Sequence, residues 1–186
     1  MLKELRRCLK AEKKDRSIFD IVLYGSAVKG KYSPGDIDIA VIFREGALKD
    51  RLDKIQLIKR KIKTEKKIDI KGFLFEELFQ ENFFGRSGIF LEGISIFDGK
   101  RLAGKIGFES RAIFIYNLRK KSHTEKVKFN YVLAGRNAKG IVKMLEGKHL
   151  APGVVEMPIK NSLEFEEVLK KHNIDYSKKN VLIQSF

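Results

Sequence analysis

Asp36 and Asp38 stand two residues apart in the otherwise apolar run DIDIAVIF (36–43). In a strand, alternate side chains share a face, so both carboxylates project together while Ile37, Ile39 and Val41 face the other way. Two like charges so placed repel, and the pattern needs either a solvated strand edge or a cation to offset it. Asp69 sits between Ile68 and Ile70 in a second strand-like run, IDIKGFL. Carboxylates gathered from neighbouring strands supply the oxygen ligands that a hard ion such as Mg²⁺ prefers, together with substrate phosphates. Three of them can hold two ions about 3.5–4 Å apart, the arrangement that activates an attacking oxygen and neutralises a leaving group. The plainer alternative makes Asp36 a turn residue beside Gly35 and Asp69 an exposed edge residue. A fourth element is the pair Gly25-Ser26, which closes the run IFDIVLY and leads into a short helical turn. Backbone N–H groups and a hydroxyl at such a turn suit a phosphate, although a strand ending in Gly-Ser is by itself only a turn.

These groups need a scaffold. Leu2, Leu5 and Leu9 at helical spacing predict a basic amphipathic helix over 2–14. Residues 18–24 and 36–43 read as strands, separated by the turn-rich AVKGKYSPG. Leu48, Leu52, Ile55, Ile58 and Ile62 mark one face of a helix over about 47–66, and strand character returns at 68–74. Residues 76–84 read as helix and 89–102 as strand with a turn at Asp98-Gly99. Beyond Phe108 the pattern gives a helix in SHTEKVKFNYVLAGR started by Ser122, a second in KGIVKMLEG, a strand in GVVEMPI, a helix over 162–172 and a final strand VLIQ. The expected class is α/β (α+β), a mixed β-sheet backed by helices with a smaller C-terminal α+β domain. The Gly104 to Gly107 stretch is the expected boundary, giving domains 1–104 and 105–186.

With 39 basic and 24 acidic residues among 186, the formal charge is +15. That excess favours a polyanionic partner, although Lys, Ile and Glu enrichment also accompanies hot habitats or genome composition. The basic segment 111–149 interleaves Phe114, Tyr116, Phe129 and Tyr131. This is either a grip for phosphates and bases or a core of rings beneath a solvated lysine face. The single cysteine, Cys8, excludes an internal disulfide framework. No apolar run approaches the roughly 20 residues of a membrane span, and a soluble, cytoplasmic protein without membrane contact is expected.

Gly25-Ser26, then Asp36-Ile37-Asp38-Ile39, then Asp69 on a later strand resemble the DNA polymerase beta-type nucleotidyltransferase superfamily, and its minimal members in particular, over about residues 15–103. Ala27-Val28-Lys29-Gly30 fills the family's basic, glycine-containing turn, and Gly35 replaces a frequent Ser. The resemblance implies the nucleotidyltransferase fold and the transfer of a nucleoside monophosphate from a triphosphate, ATP or another, to an acceptor hydroxyl with release of pyrophosphate. It implies that Gly25 and Ser26 hold the β,γ-phosphates, with Lys29 as a further phosphate contact. Asp36 and Asp38 would bind two Mg²⁺ ions, with Mn²⁺ as the substitute. Asp69 would join one of them and help deprotonate the acceptor, a nucleic acid or a protein. The alternative is a non-catalytic nucleic-acid-binding or antitoxin-like module that retains the fold.

Overall fold

Alternating apolar residues in the first half of the chain build a four-stranded mixed sheet. β1 (Ile18–Tyr24) pairs antiparallel with β2 (Asp36–Phe43), which pairs parallel with β3 (Lys67–Leu74); a two-residue β4 (Ile94–Ser95) lies on the far side of β1, giving the order β3-β2-β1-β4. The computed structural model describes residues 1–28, 35–136 and 138–184. They divide into two units, Met1–Gly107 and Phe108–Phe186.

In the first unit, Ile21, Leu23, Ile37, Ile39, Val41 and Phe43 project from one face of the sheet. They pack on Leu5 and Leu9, at and just beyond α1 (Leu2–Cys8), and on Ile55 and Ile58 of α2 (Leu48–Lys61). Each fully buried aliphatic side chain of this kind stabilises by about 1.5–3 kcal/mol. β2 lies between two strands, and its last five residues, Ile39 to Phe43, are fully buried. The opposite face of the sheet carries Asp20, Val22 and Tyr24 from β1 and Asp36 and Asp38 from β2. Part of it is covered by the segment leading into β4. A Cβ added at Gly93 would fall 2.5 Å from Val22 Cγ1 and 2.2 Å from the Ile89 carbonyl, so this close approach requires glycine.

Several elements differ from the sequence expectation. The helix expected over 2–14 stops at Cys8, and Glu12–Lys14 forms a separate 3₁₀ turn in which buried Glu12 pairs with Lys61. The helix expected over 76–84 is one 3₁₀ turn, Glu76–Phe79. The strand expected over 89–102 is instead a π-helical turn, Arg86–Leu91, then β4 and the short α3 (Leu102–Lys105). Ile89 and Phe90 are buried there, and tertiary burial satisfies their apolar character without a strand.

The second unit is an antiparallel sheet in the order β6-β7-β5-β8, built from β5 (Phe108–Asn117), β6 (Lys148–Ala151), β7 (Val154–Pro158) and β8 (Asp175–Gln184). Its helices are α4 (His123–Ala134), α5 (Ile141–Met144) and α6 (Ser162–Lys171). Ser122 and Glu125 form a reciprocal capping box at the start of α4. Ala112, Phe114 and Tyr116 from β5 share a core with Phe129, Leu133, Phe165 and Leu169. Three of the four rings in the basic segment are therefore core; Tyr131 alone is exposed, with the Arg136 guanidinium over its face. Among the described residues no helix is long and apolar enough to cross a membrane.

Candidate active site

The register of the first sheet assembles the site. Tyr24 is the antiparallel partner of Asp38, and Asp38 is the parallel partner of Asp69. Directly paired residues share a face, so Tyr24, Asp38 and Asp69 form a row across three strands. Asp36 lies one step along β2 on the same face, opposite Lys67. The structure thus brings Asp36, Asp38 and Asp69 to one face at one end of the sheet.

Gly25 opens a 3₁₀ turn, Gly25–Val28, at the end of β1. Its φ is +72°, and a Cβ added there would fall 2.1 Å from Asp38 Oδ2. Left-handed backbone and close approach both demand glycine, and the Asp38 carboxylate lies directly against the turn. Ser26 Oγ is buried and has no hydrogen-bond partner among the described residues. A buried hydroxyl left in that state costs about 1–3 kcal/mol, so the turn holds a polar group ready for a ligand. Lys29 lies outside the described residues.

The electrostatics bear the mark of crowded acids. Burial, then the charges on Asp36 and Asp69, push the Asp38 carboxyl up; Lys71 opposes them. Burial, then Asp38 and Asp69, push the Tyr24 phenol up to about 12. Asp69 is half exposed, and the Lys71 ammonium stands 3.8 Å from it. Among the described residues no group of three or more His, Cys, Asp and Glu side chains is closed up to hold a metal ion as it stands. Anions without a counterion repel, and the three carboxylates share a face without forming a cage. The set nonetheless fits a hard divalent cation with a nucleotide: every donor is oxygen, Gly25 leaves room for the Asp38 carboxylate against the turn, and the Ser26 hydroxyl has no partner among the described residues.

Tyr24 and Lys71 adjoin the three aspartates and are not among the residues expected at the site from sequence. The signal for each is the register: Tyr24 is the last strand residue before Gly25, and Lys71 is two residues beyond Asp69 on the same face.

A further acid, this one fully buried, shares this face. Asp20, on β1, is fully buried, and its carboxylate accepts from Lys105 Nζ at 2.7 Å, Ser95 Oγ at 2.8 Å and the Ile21 N–H at 2.7 Å. With both oxygens occupied it is a structural ion pair.

No curated protein matches the chain in sequence. The family model described as Nucleotidyltransferase domain matches residues 2–93, a span that includes Gly25, Ser26, all three aspartates and the first three strands of the mixed sheet. By that match the first unit holds a nucleotidyltransferase domain.

Proposed function

We propose that the first unit is an active, metal-dependent nucleotidyltransferase that moves a nucleoside monophosphate from a nucleoside triphosphate to an acceptor hydroxyl. The observation that carries this reading is the Asp38 carboxylate set against the left-handed Gly25, in one row with Asp69 and on one face with Asp36.

The turn at Gly25 and Ser26 binds the β- and γ-phosphates, with backbone N–H groups and the Ser26 hydroxyl as donors. Asp36, Asp38 and Asp69 would hold the divalent ions, Mg²⁺ or in its place Mn²⁺, which when bound neutralise the carboxylates and the triphosphate and draw electron density from the α-phosphorus. The acceptor oxygen attacks that phosphorus. A new P–O bond forms, the bond to the β-phosphate oxygen breaks, and pyrophosphate leaves with the bonding pair. Asp69, the most exposed end of the row, takes the hydroxyl proton. Little covalent work falls to the protein in phosphoryl transfer, so positioning and charge neutralisation supply most of the rate.

The test incubates the chain with Mg²⁺ and each α-labelled nucleoside triphosphate, with and without RNA and cell extract, and follows label into an acceptor. Labelling that requires Mg²⁺ and disappears in Asp38→Asn is expected. Equal labelling by the two proteins overturns the mechanism.

A further inference from the structure

The edge strand β3 presents a distinct set of side chains on the site face: Lys67, Asp69, Lys71 and Phe73 in alternation. Lys67 pairs in register with Asp36, and Lys71 with Ala40, so the acids are flanked by ammonium groups on the side away from β1. The Lys71 ammonium lies 3.8 Å from the Asp69 carboxylate and 5.0 Å from the centroid of the Phe84 ring. It thereby ties that ring to the carboxylate row. Phe84 is 68% exposed, yet it rests against Phe73 and Phe83, both buried, at centroid distances of 5.7 and 5.8 Å.

A large ring presented to water and held by buried rings is a ready stacking surface. Its position matters as much as its exposure. Gly25 and Ser26, the phosphate side of the reaction proposed above, follow β1; Phe84 lies on the opposite flank, beyond β2, where the sheet ends at β3. An acceptor entering from that flank meets Asp69 first, with Lys71 and Phe84 beside it. A ring next to a cation matches what each nucleotide of a single strand repeats, a base next to a phosphate. The formal charge of +15 complements the same polyanion.

We propose that Phe84 and Lys71 dock a single-stranded nucleic acid as the acceptor, one base stacking on the Phe84 ring while an adjoining phosphate pairs with Lys71. The inference rests on the transferase reading for the word acceptor; the docking itself is measurable without any reaction. The experiment is fluorescence anisotropy with a fluorescein-labelled single-stranded oligoadenylate and an abasic strand of equal length, in EDTA and without nucleoside triphosphate. Phe84→Ala weakens oligoadenylate binding about 5- to 150-fold, the range for one lost base–aromatic stack, and leaves abasic binding unchanged. Phe84→Trp retains the wild-type affinity, which separates a lost stack from a lost fold. Lys71→Ala weakens both strands and reduces the slope of log affinity against log salt by about 0.7.

Oligoadenylate binding that is indifferent to Phe84→Ala overturns the proposal, as does wild-type binding that does not distinguish the abasic strand. The two readings fail separately. Phe84-dependent binding with no Asp38-dependent transfer removes the enzymatic reading and leaves the docking site. Asp38-dependent transfer with Phe84-independent strand binding removes the docking site and points to a protein or small-molecule acceptor.

Discussion

Asp20 and Asp38 lie on the same face of adjacent strands, and in both burial is the leading force raising the carboxyl. Their surroundings then diverge. Around Asp20 every further contribution favours the ionised form: Lys105, Ser95 and the Ile21 N–H all lower its affinity for a proton. Around Asp38 the next contributions are Asp36 and Asp69, which raise it further, and among the described residues Lys71 opposes them. One end of the face is a closed structural ion pair; the other, among the described residues, sets an acid beside two like charges. Like charges gathered at a fold's expense are the pattern expected where a ligand completes the balance.

That contrast can be broken from either side. Lys105→Ala strands a buried carboxylate and is expected to cost about 3–5 kcal/mol in urea unfolding, with part of the loss recovered by adding Asp20→Asn. At the other end Asp38→Asn is expected to lower the rate of nucleotidyl transfer about 100-fold or more, while the melting temperature of the free protein rises. The sign follows from linkage. A carboxyl whose folded pKa lies above its unfolded value binds its proton more tightly in the fold, so stability falls as pH rises from the ordinary carboxylate range through the raised folded value. Asp20 and Asp38 share that sign, and the difference between wild type and Asp38→Asn across pH isolates the Asp38 share.

A smaller and reversible effect comes from ligand. ATP with Mg²⁺ at about 100 times its dissociation constant is expected to stabilise the first unit by about 2.7 kcal/mol, seen as a thermal shift. EDTA, or Asp38→Asn, is expected to abolish that shift. The smallest effect belongs to Lys71→Ala. Its ion pair with Asp69 is half exposed, worth about 0–1 kcal/mol, and its removal is expected to leave the unfolding midpoint nearly unchanged. A large loss of stability there would place Lys71 with Lys105 on the structural side of the comparison.

Much of the site's scaffold is legible in the sequence because it depends on local period and turn chemistry. Ile18–Tyr24 and Asp36–Phe43 are strands with the limits expected of them, and the mixed sheet backed by helices follows from their alternation. The family match over 2–93 accords with the resemblance carried by Gly25-Ser26 and the three aspartates. Tertiary requirements are less legible. The stretch IFLEGISIF is rich in strand formers, yet within it the strand is confined to Ile94–Ser95; the chain up to Leu91 is a π-helical turn, and Gly93 packs closely on Val22. No strand is expected from sequence over 108–117, although Ser110, Ala112, Phe114 and Tyr116 alternate as the buried face of β5. Lys105 gives no sequence signal for its role, because its partner Asp20 lies 85 residues away.

The last five residues of β2 are fully buried, and Asp36 and Asp38 extend from the start of that strand. Moving it would open the hydrophobic core, so those two aspartates are the stationary half of the site. Any closing of the protein around a substrate therefore falls to the elements bordering β2. Selectivity among ligands can change in those borders while Asp36 and Asp38 stay where the core fixes them.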